Sequence, residues 1–290
     1  MSAARPLQGI ALLLLAVACF AVLDSTVKYL SLSLPVLLTV WFRYLFQALA
    51  MSAVVLPTRG WRSLRTGHPR LHLLRGLLLL AVSTLAFFSL SLMPVGEFTA
   101  IIMLTPMVTT LLARLFLKEA VSPLRWLLVG GGFVGALLVA QPGGATPGLG
   151  ILLALCTTLT NSLYQVLTSR LARSEDALKL NFYTGWVGAL LLSAALPLFW
   201  QPLQDPALLG LLCLVGLSGT VGHFLFGAAF GRAPAATLAP YLYAQIGFAM
   251  LAGWLVFAHV PGRLELAGIA LIALCGATAA WLAARLPRPA

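Results

Sequence analysis

Asn161, Ser162, Tyr164 and Gln165 place two amides and two hydroxyls within one and a half helical turns of an otherwise apolar segment. A second polar group follows as Ser218 and His223 among Gly216, Gly219, Gly222 and Gly227, and a third as Tyr241, Tyr243 and Gln245. Phe20, Trp41, Phe87, Phe88, Met103 and Phe224 supply apolar surface in neighbouring segments. Amides, hydroxyls and aromatic rings with almost no fixed charge suit a neutral or zwitterionic ligand, because Tyr and Trp offer an apolar body and a polar tip. The same side chains could also do no more than bridge helices, with the glycines permitting close packing. Asp24 and Lys28 are four residues apart and share a helix face, and Arg43 lies in the next apolar segment. Charges at membrane depth are costly and usually face a cavity or a partner. They therefore read either as a gate or proton-coupling switch, or as a structural ion pair with Lys28 reaching toward the headgroups.

Several chemistries are excluded. Gly216-Leu217-Ser218-Gly219 spells a serine-protease-like GxSG, but His223 lies five residues along the same helix, nearly half a turn from the face of Ser218. No HExxH or phosphate-binding loop occurs. Cys19, Cys156, Cys213 and Cys275 stand singly in apolar segments, so their spacing indicates neither a metal site nor a disulfide framework. No catalytic residue and no cofactor is expected.

The elements that position these residues follow from composition. The chain of 290 residues is 61% hydrophobic and 9% charged, with a mean hydropathy of +1.00. A soluble domain carries about a quarter charged residues, so this composition predicts an integral membrane protein with the lipid bilayer as its partner. The net charge of +11 lies in short clusters between apolar runs, which excludes a nucleic-acid footprint. About 20 apolar residues cross a bilayer as a helix. That rule predicts an all-α protein with ten transmembrane helices near 7–29, 35–57, 72–92, 97–117, 121–140, 148–170, 177–199, 207–229, 235–257 and 263–285. The first run begins like a signal peptide but continues to Tyr29 without a clean cleavage site, so it reads as a retained span.

An internal repeat divides the chain. At a constant offset of 140 residues, Pro94 falls on Pro234, Phe42 on Phe182, Leu71 on Leu211, and Gly76-Leu77 on Gly216-Leu217; Gly9-Ile10 meets Gly150-Ile151 one step further. Residues 1–145 and 146–290 are thus expected to be two five-helix copies, joined near Gly143–Pro147. Five crossings per copy make the two halves inverted, an architecture of secondary transporters. Placing both termini in the cytoplasm puts nearly all Lys and Arg on the inside: Arg5, Arg59, Arg62, Arg65, Arg70, Arg75, Arg114, Lys118, Arg125, Arg170, Arg173, Lys179, Arg232, Arg285 and Arg288. Arg263 alone falls outside, with Lys28 and Arg43 within spans.

Ten spans in two halves, Pro106 in the fourth span, and Leu117-Lys118-Glu119 at its end resemble EamA-type members of the drug/metabolite transporter superfamily, within it most of all the bacterial aromatic amino acid exporters. Ile246 and His259 depart from the proline and glutamate usual in that family's second half. The resemblance implies an inner-membrane exporter that moves aromatic or large neutral amino acids by alternating access. It implies a cavity lined by the first, third, fourth, sixth, eighth and ninth spans, with the fifth and tenth as scaffold. Expected substrate contacts are Phe20, Phe87, Met103, Asn161, Tyr164, Gln165, Ser218, His223, Phe224, Tyr243 and Gln245, with Asp24, Arg43 and Lys28 in gating or coupling. Glu97 and Glu119 read as structural, a helix-start carboxylate and a solvated pair with Lys118. The protein is expected to be a monomer. The alternatives are a nucleotide-sugar or sugar-phosphate carrier, which calls for more central cations, and a membrane enzyme or receptor without transport.

Overall fold

A computed structural model of the chain describes residues 6–105, 107–108, 112, 123–140, 147–171, 175–203, 205–230, 232 and 241–285. Pro106, Glu119, Pro234 and most of the joint between the copies lie outside the described residues. Among the described residues there is no strand, and the α-helices are α1 (Pro6–Leu30), α2 (Val36–Arg59), α3 (Pro69–Leu92), α4 (Val95–Ile102), α5 (Pro123–Ala140), α6 (Gly148–Leu171), α7 (Ala177–Ala195), α8 (Pro206–Phe230), α9 (Ala244–Phe257) and α10 (Arg263–Arg285). Six of these, α1, α2, α3, α6, α7 and α8, are long and apolar enough to cross a membrane.

Local chemistry sets the ends. Asp176 caps α7 by accepting from Lys179 N at 2.9 Å, and Asp205 accepts from Ala207 N at 2.8 Å, with Pro206 at the first helical position of α8. Gly60 ends α2 at φ +70°, where a side chain would be strained. In α10, Glu265 reaches back to Gly262 N at 2.7 Å, which is half of a capping box.

Two helices are interrupted. After α4 the chain turns at Met103–Leu104 before helix resumes at Thr105. Thr105 Oγ1 donates to the carbonyl of Ile102 at this turn, at 2.7 Å. Exactly one repeat length later, helix at Tyr241–Leu242 turns at Tyr243 before α9 begins. There Ile246 N bonds Tyr243 O at 3.1 Å, three residues back rather than four.

The packing is symmetric under exchange of the halves. Helix α1 lies along α8 and α3 along α6, while α2 pairs with α7, α4 with α9 and α5 with α10. The partners run antiparallel: Leu13 packs with Ala229 while Tyr29 and Leu211 line one cavity, and Arg75 meets Thr168 while Leu92 approaches Gly150. Small residues let the backbones approach. A methyl group at Gly185 would lie 2.9 Å from Ala48 N, and one at Gly188 would overlap the Tyr44 ring. Gly76 faces Val187, and its repeat mate Gly216 faces Phe46.

Candidate functional site

One group of ionisable side chains, Asp24, Arg43 and His223, gathers where α1, α2, α8 and α9 meet. Asp24 on α1 is 8% exposed and Arg43 on α2 is 2% exposed. They are within electrostatic reach of each other, with the Gln245 side chain of α9 also beside Asp24, and they form no direct ion pair. Arg43 Nη1 donates to Ser83 Oγ at 3.1 Å, Tyr44 OH joins the same hydroxyl at 3.0 Å, and the guanidinium stands 4.7 Å from the Tyr44 ring centroid. Arg43 Nε makes no hydrogen bond. A Cβ at Gly219 would lie 3.0 Å from that nitrogen, so the bare glycine gives the guanidinium its room. His223 on α8 lies within electrostatic reach of Arg43 and Arg75, and its ring packs edge-on against Phe20, centroids 5.0 Å apart.

Arg75 departs from expectation. The charge count assigns it to an inner loop, but Pro69 starts α3 two turns earlier, and the side chain is 3% exposed. Its donors are occupied by neutral oxygens: Nε by Thr168 Oγ1 at 2.9 Å, Nη1 by Leu180 O at 2.9 Å and Thr184 Oγ1 at 2.5 Å, and Nη2 by Tyr164 OH at 2.6 Å. The guanidinium also sits 4.9 Å from the Tyr164 ring centroid. Arg75 thereby ties α3 to α6 and α7 and sets the orientation of Tyr164.

The polar cluster on α6 divides by role. Ser162 Oγ donates to Thr158 O at 2.8 Å and reaches Thr105 O at 3.3 Å. Asn161 Nδ2 meets Thr105 Oγ1 at 3.5 Å, and Thr158 Oγ1 reaches Ile101 O at 3.2 Å. These side chains serve the carbonyls and hydroxyl at the interruption after α4, as the helix-bridging alternative expects. Gln165 is half-buried beside Tyr164. Met103 and Phe87 are buried. Tyr243 is buried at the second interruption with its hydroxyl unbonded, in contact with Gly276 of α10. Ser218 spends its hydroxyl on Leu214 O at 2.5 Å in its own helix, with no hydrogen bond to His223 of the kind the protease alternative requires. Phe224 is 41% exposed and faces out of the bundle.

Lys28 lies away from this centre, at the end of α1, where Nζ donates to Ser91 O at 3.2 Å and feels Glu97. The opposite end of the bundle carries a second network. Glu175 accepts from Thr66 Oγ1 at 2.5 Å and pairs with Lys179 at 2.6 Å, with His72 at 3.7 Å. Arg59 pairs with Asp176 at 2.6 Å. Burial raises the Glu175 carboxyl, but the bonds from Lys179 and Thr66 outweigh it and hold the group below its ordinary value. The sequence reasoning passed over Arg75, Ser83, Tyr44 and Glu175. A signal existed for Arg75: the span expected over 72–92 contains it, and six residues after a helix-starting proline a side chain is in the second turn.

Comparison with known proteins gives relatives along almost the whole chain. It is 29% identical to the S-adenosylmethionine uptake transporter of Rickettsia bellii, over 91% of this chain and 90% of that protein. It is 30% identical to the riboflavin transporter of Vibrio cholerae, over 93% and 92%, and 27% identical to a pseudopaline exporter of Pseudomonas aeruginosa, over 91% and 93%. None of these three is named for aromatic amino acids, so the narrower resemblance drawn from the sequence is not upheld by them. A solved crystal structure, 20% identical and covering 97% of either chain, superposes with a TM-score of 0.66, which shows the shared fold. The family model described as EamA-like transporter matches twice, over residues 7–141 and 148–279. The chain belongs to the EamA-like transporter family, as a multi-pass membrane transporter of small metabolites and not an enzyme.

Proposed function

We propose that the protein is an alternating-access secondary transporter of the bacterial inner membrane, with ten spans arranged as inverted halves, 1–145 and 146–290, and both termini cytoplasmic. Its substrate has a flat, largely apolar body and a zwitterionic end; aromatic and large neutral amino acids fit this description. The observation that carries the substrate class is the arrangement of Asp24 and Arg43. Both charges are buried and feel each other without a direct ion pair, with the neutral Ser83 bonded to Arg43 and the neutral Gln245 beside Asp24. An isolated charge at membrane depth costs several kcal/mol, roughly 3 or more, so a pair kept apart suits a ligand that brings both complementary charges. The ammonium of a zwitterion would meet Asp24 and Gln245, and its carboxylate the unbonded Nε of Arg43.

The flat body would lie against Phe20 and His223, with Phe87, Met103, Tyr164, Gln165 and Tyr243 around it. Helices interrupted at matching positions in two halves mark binding sites in inverted-repeat transporters, and Met103 and Tyr243 stand at those interruptions. Relatives named for S-adenosylmethionine and riboflavin agree with a flat heteroaromatic body. S-adenosylmethionine also carries an amino acid end. A sugar phosphate is disfavoured because Arg75, a further buried cation, has four of its five N–H donors occupied by protein oxygens.

Competition in proteoliposomes tests this reading. Uptake of labelled phenylalanine should be displaced by tryptophan, tyrosine and S-adenosylmethionine. It should fall at least tenfold in Asp24→Asn, by analogy with loss of a charge-assisted bond worth about 1.5–3 kcal/mol. Displacement by a sugar phosphate with none by any zwitterion would refute it.

A further inference from the structure

We propose that Glu97, His259 and Glu265 form a binding site for a divalent transition-metal ion. One ligand atom from each of the three side chains lies within 4.8 Å of the others. Two carboxylate oxygens and an imidazole nitrogen are a donor set taken by Zn²⁺, Mn²⁺ or Co²⁺. The three residues come from separate segments: the first turn of α4, the turn after α9, and the first turn of α10. Sequence spacing therefore gives no hint of the site.

The local structure already orients each donor. Glu265 has one oxygen anchored by Gly262 N at 2.7 Å, which leaves the other, Oε1, facing His259 Nε2 at 3.5 Å. Outer bonds of this kind fix ligating carboxylates in metal sites. Ala258 adopts the left-handed conformation at φ 52°, where a residue with a Cβ is strained. Ala258 N on Trp254 O and His259 N on Gly253 O close the end of α9, so this strained turn carries the imidazole back toward the two glutamates. The His259 side chain is 32% exposed, with Nε2 itself shielded from solvent and making no hydrogen bond. That bare nitrogen, aimed at carboxylates, is the second mark of a ligand. Glu97 and Glu265 are 7% and 8% exposed. Each sits in a first helical turn. Two buried carboxylates this close repel each other, and a dication removes that repulsion. Lys28 feels Glu97 from α1, and its charge opposes the ion. A bound ion would pin α4 of the first half to α9 and α10 of the second.

Calorimetric titration of the full-length protein in nanodiscs, stripped with chelator, with Zn²⁺ and separately Mn²⁺ tests the site. One saturable ion per chain is expected, weakened about 10- to 100-fold by Glu97→Gln or His259→Gln, and tightened by Lys28→Gln. Absence of saturable binding, or equal binding by a triple variant lacking all three ligands, overturns the proposal. X-ray absorption on the zinc-loaded native protein keeps the test independent of variant folding. Nitrogen and oxygen neighbours at about 2.0–2.2 Å, imidazole included, support the site, whereas sulfur at about 2.3 Å would assign the zinc to cysteines and refute it.

Discussion

Replacing Arg75 by Lys is expected to cost more stability than replacing it by Met. The guanidinium makes four hydrogen bonds to neutral oxygens of α6 and α7 and stacks on Tyr164. Lys keeps the charge at the same depth but supplies three donors from one point, and cannot span Thr168, Leu180 O, Thr184 and Tyr164 together. At least one to two charge-assisted bonds are lost, each about 1.5–3 kcal/mol, with the cation left under-solvated. A loss of about 3–5 kcal/mol follows. Met removes the charge altogether. Leu180 O still receives Thr184 Oγ1 at 2.8 Å, so the hydroxyl of Tyr164 is the main orphan and the cost is about 1–3 kcal/mol. For a chain of this size each kcal/mol shifts Tm by roughly 2 °C, giving drops of about 6–10 °C for Lys and about 2–6 °C for Met. Thermal unfolding in detergent, followed by Trp fluorescence and by size-exclusion recovery, reads both. Arg75→Lys matching the native protein, or exceeding Arg75→Met in stability, would show that the neutral-oxygen cradle is not what holds this cation.

Gly219→Ala puts a methyl 3.0 Å from Arg43 Nε and should lower transport of a zwitterion several-fold while leaving Tm within a few degrees; unchanged transport would remove Arg43 Nε from the substrate contacts. Glu175 is held below its ordinary value near 4.5, so its contribution is fully present above that pH and is lost as the pH falls through the lower folded value. Unfolding midpoints measured from pH 7 to pH 3 should fall in the native protein and flatten in Glu175→Gln, and identical slopes would contradict the assignment. A reporter fused after Pro289 should be cytoplasmic and one inserted at Gly144 periplasmic; both on one side would defeat the inverted five-plus-five arrangement.

The helix positions were legible because the signals are local. A bilayer selects apolar runs of a given length, and Asp176, Asp205-Pro206 and Pro69 start helices through their own backbone chemistry, whatever lies across the bundle. The offset of 140 residues likewise foretold that Met103 and Tyr243 occupy matching places, although not that helix breaks at both. What tertiary structure alone decided is which polar side chain meets which. Arg75 bonds partners 89, 93, 105 and 109 residues away, and no periodicity encodes such distances. Asn161 and Ser162 look the same in sequence as Tyr164, yet packing turns the first two to the hydroxyl and carbonyl of Thr105 and the third to Arg75. His259 stands at a family glutamate position and reads as a departure from the motif. Folding sets it against Glu97 and Glu265, because the end of α9 and the starts of α4 and α10 share one end of the bundle. Hydropathy is a property of each segment, whereas a site is a property of how separate segments pack, and that is why the sequence predicts the all-helical membrane character of this protein better than its chemistry.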